Sequence, residues 1–70
     1  MKYLIVLEPT ANGFSAYTPD FDGCVAAGDS REETLALMRE AIEFHLEGLA
    51  ECGLPIPKPG CESVYVEIAV

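Results

Sequence analysis

The sequence predicts an α+β fold with the order β-β-β-α-β, in which one helix packs on one face of a small sheet. Three patterns predict it: a continuous apolar run at residues 2–8, a helical apolar period across residues 30–52, and strict alternation over residues 63–70. Because a chain of 70 residues supports only one hydrophobic core, we expect a single domain over residues 1–70.

Short loops divide the first part of the chain into three predicted strands. Residues 2–8 (KYLIVLE) form an apolar run that predicts a strand buried on both faces. Asn12 and Gly13 tolerate positive φ and predict a turn, after which residues 14–18 (FSAYT) alternate like a strand paired antiparallel to the first. The small apolar residues 24–28 (CVAAG) predict a third strand after a second loop.

Capping residues mark both ends of the predicted helix. Ser30 fits an N-cap, with Glu33 reaching back from the third helical position. The helix is expected to stop near Cys52, because Gly53 suits a left-handed cap and Pro55 cannot continue the helix. Apolar residues at three- and four-residue intervals predict a buried stripe between these ends. This stripe consists of Leu35, Met38, Ile42, Leu49 and Cys52.

The last part of the sequence predicts a fourth strand. Alternating prolines keep residues 54–60 extended, and residues 63–70 then alternate between apolar and mixed positions. The apolar face consists of Val64, Val66, Ile68 and Val70. A right-handed crossover through the helix is expected to deliver this strand parallel to the first.

The predicted arrangement of one helix on one sheet leaves part of the apolar surface uncovered. One helix covers one face of a sheet, whereas the first strand is apolar on both faces and the helix has spare apolar positions. A second copy of the chain is the simplest cover, so we expect a homo-oligomer, either a dimer or a tetramer. The expected contact residues are Tyr3, Ile5, Leu7, Phe44 and His45.

The charge balance is strongly acidic and limits the partners. Twelve acidic residues oppose four basic ones, for a net charge of −8 at pH 7, so we expect no direct nucleic-acid binding. No apolar run approaches the roughly 20 residues that cross a bilayer, and residues 3–7 are too few for a signal-peptide core. We therefore expect a soluble, cytoplasmic protein that makes no membrane contact.

The three cysteines do not predict a disulfide framework or a metal site. Cys24, Cys52 and Cys61 are odd in number and widely spaced, and no C-x-x-C pair occurs. With a single histidine in the chain, the ligand spacing of a zinc site is missing. We expect buried, reduced thiols and no metal or cofactor, although Cys52 and Cys61 flank the proline-rich loop and could be oxidised to a pair.

Catalysis is not expected. His45 is the only histidine and falls on the apolar stripe, where a packing or interface role is more common than that of a catalytic base. The β-β-β-α-β order matches the first part of the ribonuclease H fold, and Glu8, Glu40 and Glu67 are the nearest equivalents of its metal-binding acids. An acidic surface would repel the substrate of such a nuclease.

Four glutamates predict an acidic ridge along the helix. Glu40, Glu43, Glu47 and Glu51 follow one another at steps of three and four residues, which places them on one helical face. Two interpretations remain open: a solvated face, as most helical charge runs are, or a docking surface for a basic partner, whose encounter long-range attraction would accelerate.

A series of motifs along the chain resembles the N-terminal domain of HicB-type antitoxins. The pieces are E-P at residues 8–9, G-F at 13–14, P-D-F-D-G-C at 19–24, G-D-S-R-E-E at 28–33, A-I-E-F-H-L-E-G-L at 41–49 and G-L-P-I-P at 53–57. Asp22 stands where the family usually has proline, and Thr34 where it usually has alanine. Typical members continue into a C-terminal operator-binding domain, which we do not expect within these 70 residues.

The resemblance implies a partial ribonuclease H-like fold that lacks catalysis and forms dimers or tetramers. It also implies that the protein binds and blocks a HicA-type toxin, a small basic ribonuclease that cleaves messenger RNA. This implication favours the docking interpretation of the acidic ridge. The alternative is a standalone oligomeric interaction module without a toxin partner, and a residual metal-dependent nuclease ranks a distant third.

Overall fold

The computed structural model describes all residues, 1–70, and places three strands before one helix. Strands β1 (Val6–Pro9), β2 (Phe14–Tyr17) and β3 (Val25–Gly28) form an antiparallel sheet in the order β1-β2-β3, and helix α1 (Arg31–Glu51) follows. The α+β class and the antiparallel meander are therefore confirmed. No helix has the length and apolar character needed to cross a bilayer.

The turn between β1 and β2 packs directly on the connection between β3 and α1. The N–H of Thr10 donates to the Gly13 carbonyl oxygen at 2.8 Å and closes the turn. A Cβ atom on Gly13 would overlap the Gly28 carbonyl oxygen and lie 2.9 Å from the Asp29 Cα. Only glycine fits at this position, because the two backbones approach too closely for any side chain.

The predicted N-cap forms at Ser30, and Glu33 reaches back to Asp29, one residue further than in a standard capping box. Ser30 Oγ accepts a hydrogen bond from the N–H of Glu33 at 3.1 Å, and Glu33 Oε2 accepts one from the N–H of Asp29 at 3.0 Å. The Thr34 hydroxyl, which is fully buried, donates to the Ser30 carbonyl at 2.7 Å. The bond to Ser30 Oγ satisfies one of the N–H groups that the helix leaves unpaired at its first turn.

The predicted helix end is also confirmed. Gly53 has a φ of +69°, and its N–H donates to the Ala50 carbonyl at 3.1 Å, while the N–H of Leu54 donates to the Leu49 carbonyl at 2.9 Å. This pair of bonds is the Schellman motif, in which a glycine in the left-handed region lets the chain reverse and cap the last carbonyls.

The core lies between α1 and the half of the sheet that the helix covers. Helix α1 packs against β3 and β2, and Met38, fully buried, lies at the centre of the contact. The other buried apolar residues are Ala16, Phe21, Cys24 and Ile42. Because the helix lies toward β3, the strand at the opposite edge, β1, is the least covered.

The first strand differs from its prediction in length and in burial. Strand β1 occupies residues 6–9 rather than 2–8, and no residue of 1–9 is fully buried, although Tyr3, Ile5 and Leu7 pack against the core. The reason is the length of β2, whose four residues pair only with residues 6–9. Residues 2–5 therefore run past the end of their neighbour and have no strand beside them.

The predicted fourth strand is absent from this structure. Residues 61–70 are exposed throughout, and no backbone hydrogen bond involves them. The Tyr3 hydroxyl donates to the Pro57 carbonyl at 2.6 Å, and the N–H of Gly60 donates to Asp20 Oδ1 at 3.2 Å. These contacts lead the chain across the end of the sheet from β1 toward β2, so it moves away from the free edge of β1 where a fourth strand would pair.

Candidate partner-binding surface

The outer face of α1 carries the four glutamates of the acidic ridge, Glu40, Glu43, Glu47 and Glu51, all of them exposed. At about 100° per residue they fall within a sector of about 80°, opposite the buried Met38 and Ile42. Only Glu43 has a cationic partner, Arg39, whose Nε lies 3.5 Å from its Oε1. Both side chains of that pair are exposed, so it contributes little to stability.

The acidic ridge extends to the C-terminal end of α1, which already carries the negative end of the helix dipole. The last turn of α1 contains no basic residue, and its unpaired carbonyls carry a partial negative charge that Glu47 and Glu51 reinforce. Like charges four residues apart, as in the pairs Glu43–Glu47 and Glu47–Glu51, each destabilise a helix by roughly 0.2–0.5 kcal/mol. A basic partner would relieve this repulsion on binding.

Phe44 lies beside the ridge and not at a helix–sheet contact. It is 79% exposed, and it sits four residues after Glu40 and three before Glu47, so both carboxylates are one turn away on the same side of the helix. Large exposed aromatic residues bordered by charge are typical anchors of protein interfaces. Sequence reasoning placed Phe44 among the oligomer contacts, although its spacing from Glu40 and Glu47 already put it next to the ridge.

An open groove of about 500 Å³ runs beside Phe44. Its lining residues are Gly23, Ala41, Phe44, His45, Gly48, Leu49, Cys52 and Leu54. His45 turns inward and stacks on Phe21, with ring centroids 5.2 Å apart and planes inclined by 29°. At Gly48 an added Cβ would meet no atom within 4 Å, so this stretch of the helix surface is open to a partner.

The remaining predicted oligomer residues lie on the other side of the molecule. Tyr3, Ile5 and Leu7 are half-buried beside the core, and the Tyr3 ring lies 4.7 Å from the ring of Phe21. The five residues predicted as one interface therefore occupy three places: the β1 side, the inward His45 and the outward Phe44. They do not form one continuous surface within a single chain.

The cysteines differ in their surroundings, and the prediction that all are buried is wrong for two of them. Cys24 is buried, and its burial raises the pKa of the thiol. Cys52 and Cys61 are exposed, because one caps the helix and the other begins the exposed residues 61–70. A hydrogen bond to the Asp20 carboxylate raises the pKa of the Cys61 thiol. All three thiols are free.

No metal-binding group of acids, histidines or cysteines gathers in the structure. Glu8 lies in β1, Glu40 on the outer face of α1, and Glu67 in the exposed residues 61–70. These three carboxylates, the nearest equivalents of a ribonuclease H site, are therefore not brought together in the structure.

The structure is thus a small antiparallel sheet backed by one helix, whose outer face is acidic and carries the exposed Phe44. The family model described as "HicB_like antitoxin of bacterial toxin-antitoxin system" matches residues 3–67. The chain belongs to this HicB-like antitoxin family.

The chain is also similar to individual proteins. An uncharacterised 14.9 kDa protein from the rep-hol intergenic region of Haemophilus phage HP1 is 36% identical over 66 residues, which cover 94% of this chain and 50% of the relative. The chain thus spans half the length of that protein. The solved HicA3 and HicB3 toxin–antitoxin complex contains a chain that is 37% identical, with a TM-score of 0.70 over 86% of this chain and 70% of that one. The antitoxin HicB3 crystal structure is also 37% identical, with a TM-score of 0.72 over 86% of this chain and 44% of its own.

Proposed function

We propose that this chain is an antitoxin domain that binds and neutralises a small, basic, mRNA-cleaving toxin of the HicA type. The observation that carries the proposal is the acidic ridge with the exposed Phe44 beside it. Membership of the HicB-like antitoxin family supports it, as does the similarity to a HicB3 chain solved together with HicA3. The domain acts by binding and performs no catalysis.

The chemistry of the ridge suits a protein that binds RNA. A ribonuclease needs a cationic surface that binds the phosphates of its RNA substrate. The carboxylates of Glu43 and Glu47 can bind to that cationic surface of the toxin in place of the phosphates. Long-range attraction between opposite charges accelerates the association of the two proteins. Phe44 loses its contact with water when the toxin binds, and its burial slows dissociation of the complex. Covering that cationic surface would block RNA from reaching the toxin.

We further propose that the domain is a cytoplasmic homo-oligomer, a dimer or a tetramer, that does not itself bind nucleic acid. The net charge of −8 disfavours contact with phosphates. Tyr3, Ile5 and Leu7 are only half-buried and border the least covered strand, so the β1 side is the surface that a second copy would cover. Phe44, on the opposite face, is then left for the toxin.

The ridge is tested by charge reversal. The partner is captured from source cells with this chain as bait, identified by mass spectrometry and purified. We expect Glu43→Lys with Glu47→Lys to weaken its binding by at least about tenfold and to flatten the dependence of affinity on salt. The physical reason is that two attractive contacts become repulsive. Affinity is measured by calorimetry at several salt concentrations.

A matched control separates the ridge from net charge. Glu8→Lys with Asp22→Lys changes the charge by the same amount at two exposed positions outside α1, and it should preserve most of the affinity. If the ridge variant kept wild-type affinity and salt dependence, the ridge would be a solvated face and the proposed toxin surface would be wrong.

A standalone oligomeric module is the second candidate function, and the exposed apolar side chains of residues 64–70 favour it. Under that alternative the bait recovers no basic protein and is isolated as a self-associated species. Recovery of a small basic protein in equal amount, released by raised salt and inactive as a ribonuclease while bound, would support the antitoxin.

A further inference from the structure

The free edge of β1 is an unpaired sheet edge. Strand β1 has a neighbour on one side only, β2. In an antiparallel pair, successive residues direct their N–H and C=O groups alternately toward and away from the neighbour. The N–H of Thr10 points toward β2, since it donates to Gly13, so Pro9 and Leu7 point away. Pro9 has no N–H to leave unpaired, whereas Leu7 presents both of its backbone groups to the open edge.

An unpaired strand sequence lies elsewhere in the same chain. Residues 61–70 are exposed and form no backbone hydrogen bond, yet residues 64–70 alternate as a strand does. Their apolar side chains are between 68% and 118% exposed. They are Val64, Val66, Ile68 and Val70. Such a segment gains both backbone pairing and apolar burial when it joins a sheet edge.

A groove next to the β1 edge fits the apolar face of this segment. Because α1 lies over β3 and β2, an opening of about 650 Å³ remains between the helix and the residues that precede β1. Its lining combines the apolar side chains of Met1, Tyr3, Ile5, Ile42 and Leu46 with the charged side chains of Lys2, Arg39 and Glu43. Residues 62–70 extend over about 30 Å and residues 2–9 over about 26 Å, so the two segments are matched in length.

The segment of the same chain is directed away from this edge. The contacts Tyr3–Pro57 and Asp20–Gly60 carry the chain from β1 across the end of β2, and the radius of gyration, 14.0 Å, exceeds the roughly 11 Å of a compact chain of this length. Residues 61–70 thus project from the body of the molecule, where they can reach a neighbouring chain.

We propose that residues 62–70 of one copy pair along the β1 edge of a second copy, and that the exchange is reciprocal. Each chain has one free β1 edge and one projecting segment. Two chains related by a two-fold axis therefore pair both segments with both edges, which gives a closed dimer. Val66 and Ile68 then fill the groove beside Ile42 of the partner chain, while Tyr65 and Glu67 face outward. The inference does not depend on toxin binding.

The first test uses two variants of equal charge on opposite faces of the segment. Val66→Asp with Ile68→Asp places charges on the face that enters the groove, whereas Tyr65→Asp with Ala69→Asp places them on the outward face. Light scattering after gel filtration should give twice the chain mass of 7.5 kDa for the wild type and the outward variant. The groove variant should fall to the single-chain mass while its circular dichroism retains the helix signal. A dimer that persists in the groove variant would overturn the proposal.

The second test distinguishes exchange from other modes of association. In a mixture of ¹³C-labelled and unlabelled wild-type chains, isotope-filtered nuclear Overhauser spectra detect contacts between chains only. We expect such contacts between residues 64–70 and residues 2–7. If those contacts were found solely within one chain, the segment would pair with its own β1 and the exchange would be wrong.

Discussion

At the scale of single residues, Gly13 is the position that the fold constrains most closely. Its backbone lies against Gly28 and Asp29 with no room for a Cβ atom. We expect Gly13→Ala to lower the free energy of unfolding by roughly 1–3 kcal/mol, because the turn must separate from the β3–α1 connection to admit the methyl group. Urea denaturation followed by circular dichroism measures the change.

The control for this prediction is Gly60→Ala. Gly60 has open space around its Cα, and alanine retains the N–H that contacts Asp20, so the change should stay within about 0.5 kcal/mol. Equal effects of the two substitutions would contradict a steric origin at Gly13.

Residue-level predictability was uneven across the candidate surface. The acidic ridge was predictable because steps of three and four residues share a face on any straight helix. The inward position of His45 was also predictable, because this residue falls on the apolar stripe between Ile42 and Leu49. The exposure of Phe44, about 100° further round the helix, was not predicted, and neither was the stacking of His45 on Phe21, a contact distant in sequence.

At the scale of elements, the helix and the strands β2 and β3 were predictable to within one residue at each end, whereas β1 and the predicted fourth strand were not. The helix ends depend on local hydrogen bonds made by Ser30, Glu33 and Gly53. Such bonds join residues that are close in sequence, so the sequence alone predicts them. A strand requires a partner, so β1 is only as long as β2 allows. Residues 63–70 have the pattern of a strand, but the contacts Tyr3–Pro57 and Asp20–Gly60 lead them away from the free edge of β1.

Gly48 supplies a prediction about α1. Glycine in a helix interior is less favourable than alanine by up to about 1 kcal/mol, and an added Cβ meets nothing within 4 Å. We therefore expect Gly48→Ala to raise the free energy of unfolding by about 0.5–1 kcal/mol in urea denaturation. The reciprocal control, Ala50→Gly at a neighbouring exposed position, should lower it by a similar amount. A destabilised Gly48→Ala variant would contradict the open surroundings of this residue.

At the scale of the whole molecule, the core is small for the stability that it has to supply. Only seven of 70 residues are buried, and most of the apolar side chains of residues 64–70 remain in water. A domain of this size is marginally stable alone, and no disulfide or metal-binding cluster supplements its core. In the proposed dimer, association between copies adds to the stability of the single chain, so the folded fraction depends on protein concentration.

That coupling predicts a melting temperature that depends on protein concentration. Association favours the folded chain by mass action, so raising the concentration about a hundredfold stabilises a dimer by about 2.7 kcal/mol and should raise Tm by about 5–10 °C. Circular dichroism in cells of different path length covers this range at constant buffer. The Val66→Asp, Ile68→Asp variant should melt lower and at a temperature independent of concentration, because its chains no longer associate. A constant Tm for the wild type would show that the seven buried residues stabilise the single chain without a second copy.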